Sequence, residues 1–157
     1  MKQVGKALRI ISSDEEKGIG VVIDAPTLLP DFHLDILEKL RATLEKLGTI
    51  RLGKIITDRQ VTKDESNIIR NQGFHEEIVS SDVDIHVTIR SLELTQEKGL
   101  DILAIGTTDQ ALYPVFAQLK MVKKLALISW QKDVTPAMES IVDYIIYLDY
   151  LDGEGKS

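Results

Sequence analysis

Asp24 directly follows a run of apolar residues, Asp84 sits near the start of an amphipathic stretch, and Asp109 lies a few residues beyond another apolar run. Carboxylates that converge can bind a hard divalent cation such as Mg2+ or Mn2+. Such a cation activates water and offsets charge at a phosphodiester during in-line displacement. Each acid also has a local reason to be where it is. Asp82 and Asp84 complement a helix macrodipole, Asp109 falls in the first turn of a helix that Thr107 can cap, and Asp24 can satisfy loop backbone. The chemistry therefore depends on whether the fold brings the three to one rim.

The elements that must position them are legible as alternating apolar runs and amphipathic stretches. Ile19 to Asp24, with three consecutive apolar residues from Val21, reads as a strand buried on both faces. Asp31 can cap a helix carrying Leu34, Leu37, Leu40, Leu44 and Leu47 on one stripe, and Gly48 can end it in a left-handed cap. A second strand covers about Ile50 to Thr57. Thr62 and Glu65 form a capping-box pattern for a second helix, which Gly73 stops. Phe74 to Val79 is a third strand, polar enough for a sheet edge. Ser81 opens a third helix running to Lys98, and Leu100 to Ile105 is a fourth strand. Thr107 and Gln110 offer another capping box before a helix ending near Met121. Leu125 to Ser129, a short helix from Thr135 and Pro136, and a strand at Tyr144 to Leu148 complete the chain.

This alternation implies an α/β fold, a three-layer sandwich with a mainly parallel five- or six-stranded sheet of the PIN/Rossmann-like kind. Residues 1–18 are expected to form an N-terminal extension, 19–150 the domain, and 151–157 a frayed tail. In such sheets ligands bind beyond the carboxyl ends of the strands, where strand order reverses. With order 3-2-1-4-5, Asp24 and Asp109 would lie on neighbouring strands at that point.

Composition bounds the rest. The chain has 157 residues, 43% hydrophobic and 28% charged, which suits one domain with a sizeable core. It contains no cysteine, so disulfides, a cysteine nucleophile and thiolate metal sites are excluded. A net charge of −6 argues against non-specific nucleic-acid binding through charge alone. No apolar run reaches the ~18 residues of a bilayer span, and the start is too polar for a secretory signal. The expectation is a soluble cytoplasmic protein without a membrane partner. His33, His75 and His86 show no ligand spacing. The GIG at Gly18 to Gly20 precedes the first strand, where a dinucleotide loop must follow it, and no Walker sequence is present.

The order of four blocks, VVIDAPTLL, SDVDIHVTIRSLEL, AIGTTDQALYPVF and SIVDYIIYL, resembles the NYN domain, a PIN-like ribonuclease family that includes the LabA-like proteins. The likeness covers about Ile19 to Leu148 and is strongest to an uncharacterised archaeal-type branch. It implies a parallel sheet and metal-dependent RNA cleavage, with Asp24, Asp84 and Asp109 as catalytic residues and ligands to Mg2+ or Mn2+. Three positions depart from the pattern: Thr27 where Asn is frequent, Thr107 in place of the first acid of an Asp-x-Asp pair, and Arg90 where a further acid is common. Arg90 could pair with an aspartate in place of the cation. An alternative is therefore a non-catalytic RNA- or protein-binding module of the same fold.

Candidate substrate contacts on the upper rim are Thr27, Arg59, Lys63, Arg90, Thr107, Thr108, Trp130 and Lys132. An exposed aromatic stacks on bases and cations meet phosphates. Trp130 can equally plug the top of the core. Lys120, Lys123 and Lys124 form the most basic stretch, but helix carboxyl ends favour cations for local reasons. The partner expected is RNA, with a homo-oligomer or protein partner left open.

Overall fold

The computed structural model describes residues 16–151. The expected tail from Asp152, and the expected N-terminal extension up to residue 15, lie outside the described residues. Six strands form one all-parallel sheet in the order β3-β2-β1-β4-β5-β6, so the order reverses between β1 and β4. They are β1 (Gly18–Asp24), β2 (Thr49–Thr57), β3 (His75–Ile78), β4 (Ile102–Gly106), β5 (Lys124–Ser129) and β6 (Tyr144–Tyr147). All residues of β1 and β4 are buried, as central strands covered on both faces must be. The two outer strands, β3 and β6, are short, as edge strands tend to be.

Alternate residues of the four inner strands feed two separate cores. Ile19, Val21 and Ile23 face one side, where α2 (Leu37–Leu44) and α3 (Lys63–Asn71) pack through Leu37, Leu40, Leu44 and Ile69. Val22, Leu103 and Ile105 face the other, against α4 (Val83–Leu94), α5 (Tyr113–Lys120) and α6 (Pro136–Ile141). The arrangement is the three-layer α/β sandwich that right-handed crossovers require: connections moving outward from β1 through β2 to β3 lie on one face, and those moving back through β4 lie on the other.

Several predicted helix ends are realised. Thr62 and Glu65 make the full capping box, Thr135 accepts from Met138 N–H, and Gly73 adopts φ +86° after α3. Others are not. Asp31 caps no helix: it has φ 55° and sits in a 3-10 turn at Pro30–Phe32. Pro30, which has no N–H to donate, cannot continue the helix begun at Ala25. After the short α1 (Ala25–Leu28), the chain instead lays Leu29, Phe32, Leu34 and Ile36 into the core on the α2 side.

Gly48 does not take the left-handed conformation expected of it. Its requirement is close approach, because a Cβ there would strike the Lys17 carbonyl oxygen. α4 starts at Val83, with Asp82 making no side-chain cap, and it ends at Leu94 rather than Lys98. Thr107 caps no helix either. Asp109 does the capping, accepting Ala111 N–H at 2.9 Å.

Candidate functional site

The carboxyl ends of β1, β2, β3 and β4 open onto a cleft of about 540 Å3. Five aspartates line it: Asp24, Asp58, Asp82, Asp84 and Asp109. Thr27, Ser80 and Ser81 are among the other lining residues, and the lining contains no lysine or arginine. The three acids expected from the sequence thus share one cleft. Asp58 and Asp82 join them, Asp58 directly after β2 and Asp82 directly before α4.

Asp24 is the best determined of the five. It ends the central strand and is 1% exposed. Ile23 pairs with Gly106 in the β1–β4 ladder, so the next residues, Asp24 and Thr107, stand side by side. Thr107 Oγ1 donates to Asp24 Oδ2 at 2.8 Å, and Thr27 Oγ1 donates to the same oxygen at 2.9 Å. Both hydroxyls are also acceptors, from Asp109 N–H at 3.0 Å and Thr108 N–H at 3.1 Å respectively. Each threonine therefore links a backbone amide of the β4 loop to the buried carboxylate. Asp24 Oδ1 accepts from no described residue. Burial pushes the Asp24 carboxyl above its ordinary value, with the Asp109 charge adding to the effect and the two hydroxyl bonds opposing it.

The other acids are held more loosely. Asp109 Oδ1 is engaged by Ala111 N–H, and Asp84 Oδ1 by Ile85 N–H at 2.9 Å. Among the described residues, no three His, Asp or Glu side chains form a group that could hold a metal ion. The expected three-carboxylate cage of Asp24, Asp84 and Asp109 is therefore not assembled in this structure. The residues do fit a looser arrangement, in which Mg2+ takes one or two carboxylates and fills its remaining positions with water and substrate phosphate. The open Oδ1 of Asp24, near Asp109, is the donor such a cation would use.

The expected substrate contacts divide. Thr27 lines the cleft, whereas Thr107 and Thr108 are outside its lining: Thr107 is buried against Asp24, and Thr108 is bonded to Thr27. Arg59 is drawn off: its guanidinium lies 4.6 Å from the Phe32 ring centre and pairs with Glu65. Lys63 is exposed at the start of α3, outside the cleft lining. Lys132 pairs with Asp133 beside the β5 loop.

Arg90 and Trp130 are engaged elsewhere, Trp130 in the second of its two expected roles. Arg90 does not reach the cleft or any of its aspartates. It makes a two-pronged ion pair with Glu77 on β3, at 2.9 and 2.8 Å, and a further contact with Glu93. It lies along a separate groove between α4 and the lower half of β2. Trp130 plugs the core, its indole N–H donating to the Leu28 carbonyl at 2.8 Å.

No family model matches the chain. An uncharacterised protein of Methanocaldococcus jannaschii is 29% identical over 133 residues, which is 83% of this chain and 55% of that protein. The chain thus spans about half the length of this curated relative. A crystal structure of a protein of unknown function from Vibrio parahaemolyticus superposes with a TM-score of 0.72 at 11% identity, covering 87% of this chain and 96% of that one. The likeness to the latter is one of fold.

Proposed function

We propose that the acidic cleft is the site of a metal-dependent endoribonuclease of the NYN, PIN-like kind, working on RNA with Mg2+ or Mn2+. The observation that carries this reading is Asp24: a nearly inaccessible carboxylate with one oxygen clamped by two hydroxyls and the other left without a donor, in a cleft of five aspartates. Holding such a group in a core costs stability, and sites of reaction are where proteins keep groups with perturbed ionisation. The absence of lining cations points the same way. Five carboxylates repel a phosphodiester, so a polyanion enters productively only together with divalent cations.

When bound, the cation would supply charge neutralisation at the phosphate and a water of lowered pKa. Asp24 and Asp109 would hold it, and Asp84 on the facing wall would act through water. The threonines keep Asp24 from turning and fix the Thr107–Asp109 segment against it. Lys63, exposed at the start of α3 outside the cleft, would be a phosphate contact for the flanking RNA.

A second reading, an RNA- or protein-binding module without catalysis, is favoured by one feature: Thr107 stands beside Asp24 where the resemblance places an acid, so the innermost pair is neutral on one side. Calorimetric titration of Mn2+ and Mg2+ separates the two, with and without a non-cleavable RNA, on the wild type and on Asp24→Asn with Asp109→Asn. Saturable, RNA-enhanced metal binding that the double substitution abolishes, followed by metal-dependent cleavage, is the expected result. RNA binding indifferent to metal and to both substitutions would establish the non-catalytic reading.

A further inference from the structure

The opposite rim of the sheet, at the amino ends of the strands, carries a basic concavity of about 450 Å3. Five lysines line it: Lys17, Lys98, Lys120, Lys123 and Lys124. They come from three separate segments, before β1, after α4 and around the α5–β5 turn. Lys120 and Lys123 have local reasons to be there. Lys120 pairs with Asp143, and Lys123 donates to the carbonyls of Glu97 and Leu100 beyond α4. Lys17, Lys98 and Lys124 are exposed, and none forms an ion pair among the described residues. Asp101, the acid in the lining, is itself engaged by Gly18 N–H.

The same concavity is bordered by an apolar tip. Met121 is 79% exposed and Val122 60%, in the turn between Lys120 and Lys123. Five ammonium groups set against the carboxylates of Asp101 and Asp143 leave a local excess of positive charge, which favours an anionic partner. Lysine offers point charges without the two-pronged geometry by which arginine reads phosphates and bases. No aromatic residue lines the concavity, so it holds no base-stacking platform. An aliphatic tip contributes nothing to a phosphodiester backbone. It does gain by entering the boundary between lipid headgroups and acyl chains, with lysines at headgroup level.

We propose that this rim is a peripheral docking surface for an anionic lipid bilayer. Met121 and Val122 enter the headgroup boundary, and Lys17, Lys98 and Lys124 meet lipid phosphates. The expectation of no membrane partner rested on the lack of a spanning segment, which this mode does not need. Among the described residues, no helix is long and apolar enough to cross a membrane. Docking here turns the acidic cleft away from the negative surface, so the net charge of −6 does not oppose it as a uniform charge would.

Co-sedimentation with vesicles of phosphatidylcholine, with and without phosphatidylglycerol, tests the proposal on the full chain. The expected result is partitioning that requires phosphatidylglycerol and is suppressed by salt. It should fall about tenfold or more when Lys17, Lys98 and Lys124 are all changed to Gln. Met121→Asp should weaken it with the lysines intact. All four positions are exposed, and an unchanged thermal midpoint verifies folding. No partitioning, or partitioning indifferent to both sets of substitutions, overturns the proposal. So does capture of oligouridine RNA or of inorganic pyrophosphate that depends on the lysines, ignores Met121→Asp and comes without vesicle binding.

Discussion

The Thr107 hydroxyl donates to Asp24 Oδ2 at 2.8 Å while accepting the backbone N–H of Asp109 at 3.0 Å. One side chain thus satisfies a buried carboxylate and sets the loop that carries the neighbouring acid. Thr107→Val keeps the shape and removes both bonds. The Asp109 amide loses its partner and Asp24 keeps a single hydroxyl. Urea melts should show a loss of about 1–3 kcal/mol, the range for leaving buried polar groups unpaired. Thr107→Ser should recover most of it. A valine variant as stable as the wild type would mean that the clamp does not hold the loop.

Asp24→Asn should stabilise the fold at neutral pH. A carboxyl whose folded pKa is raised contributes stability that is complete below its unfolded value and disappears as pH rises through the folded pKa. Burying this carboxyl is therefore a burden at pH well above its unfolded value. The substitution retains an oxygen for both hydroxyls and removes the charge. Thermal melts should show a higher midpoint for the variant at pH 7, by roughly 2–4 °C for each kcal/mol recovered. The gap should close as pH falls into the ordinary carboxylate range. A midpoint difference independent of pH would refute the burial argument, whereas loss of metal binding in the same variant would speak to the cleft's chemistry.

Arg90 is expected to matter for stability and not for the cleft. Its bond to Glu77 holds the Glu77 carboxyl below its ordinary value, with Lys54 assisting. A carboxyl shifted down gives stability that is present above its unfolded value and is lost as pH falls through the lowered one. Arg90→Ala should cost about 1–2 kcal/mol at neutral pH, a charged hydrogen-bond pair discounted for its partial exposure. The cost should shrink in acid. Titration of metal or RNA into this variant should match the wild type; a changed affinity would restore Arg90 as a substrate contact.

Trp130→Phe removes the indole bond to Leu28, together with part of the ring's packing, while keeping an aromatic. The expected cost is about 1 kcal/mol, read from urea melts, with RNA affinity unchanged. A base-stacking role would give the reverse pattern: affinity lost and stability kept.

The layer order, the parallel sheet and the placing of Asp24, Asp84 and Asp109 on one rim follow from short-range signals. Apolar runs such as Val21 to Ile23 mark buried strands, and the Thr62–Glu65 box and Gly73 mark helix ends, because these features report on the backbone within a few residues. The failures share a cause. Asp31 before Phe32, Gly48 after Leu47, and Thr107 before Gln110 each had a plausible local role that a distant partner displaced: the core beneath Leu29 to Ile36, the Lys17 carbonyl, and the Asp24 carboxylate. A similar gap hid the basic rim, since Lys17 and Lys98 are far in sequence from Lys120 to Lys124.

The sequence by itself determined which residues alternate between the two faces of the sheet, and hence the α/β architecture, since periodicity and chain handedness leave few ways to bury those apolar residues. It also determined that acids would crowd the carboxyl ends of the strands. Only the tertiary structure decided what those acids can do. Whether a carboxylate is open or clamped depends on the β1–β4 register, which puts Thr107 beside Asp24, and on where competing partners stand, as Glu77 does for Arg90. Those are contacts between residues far apart in the chain, set by packing, and no spacing along a single sequence encodes their distances.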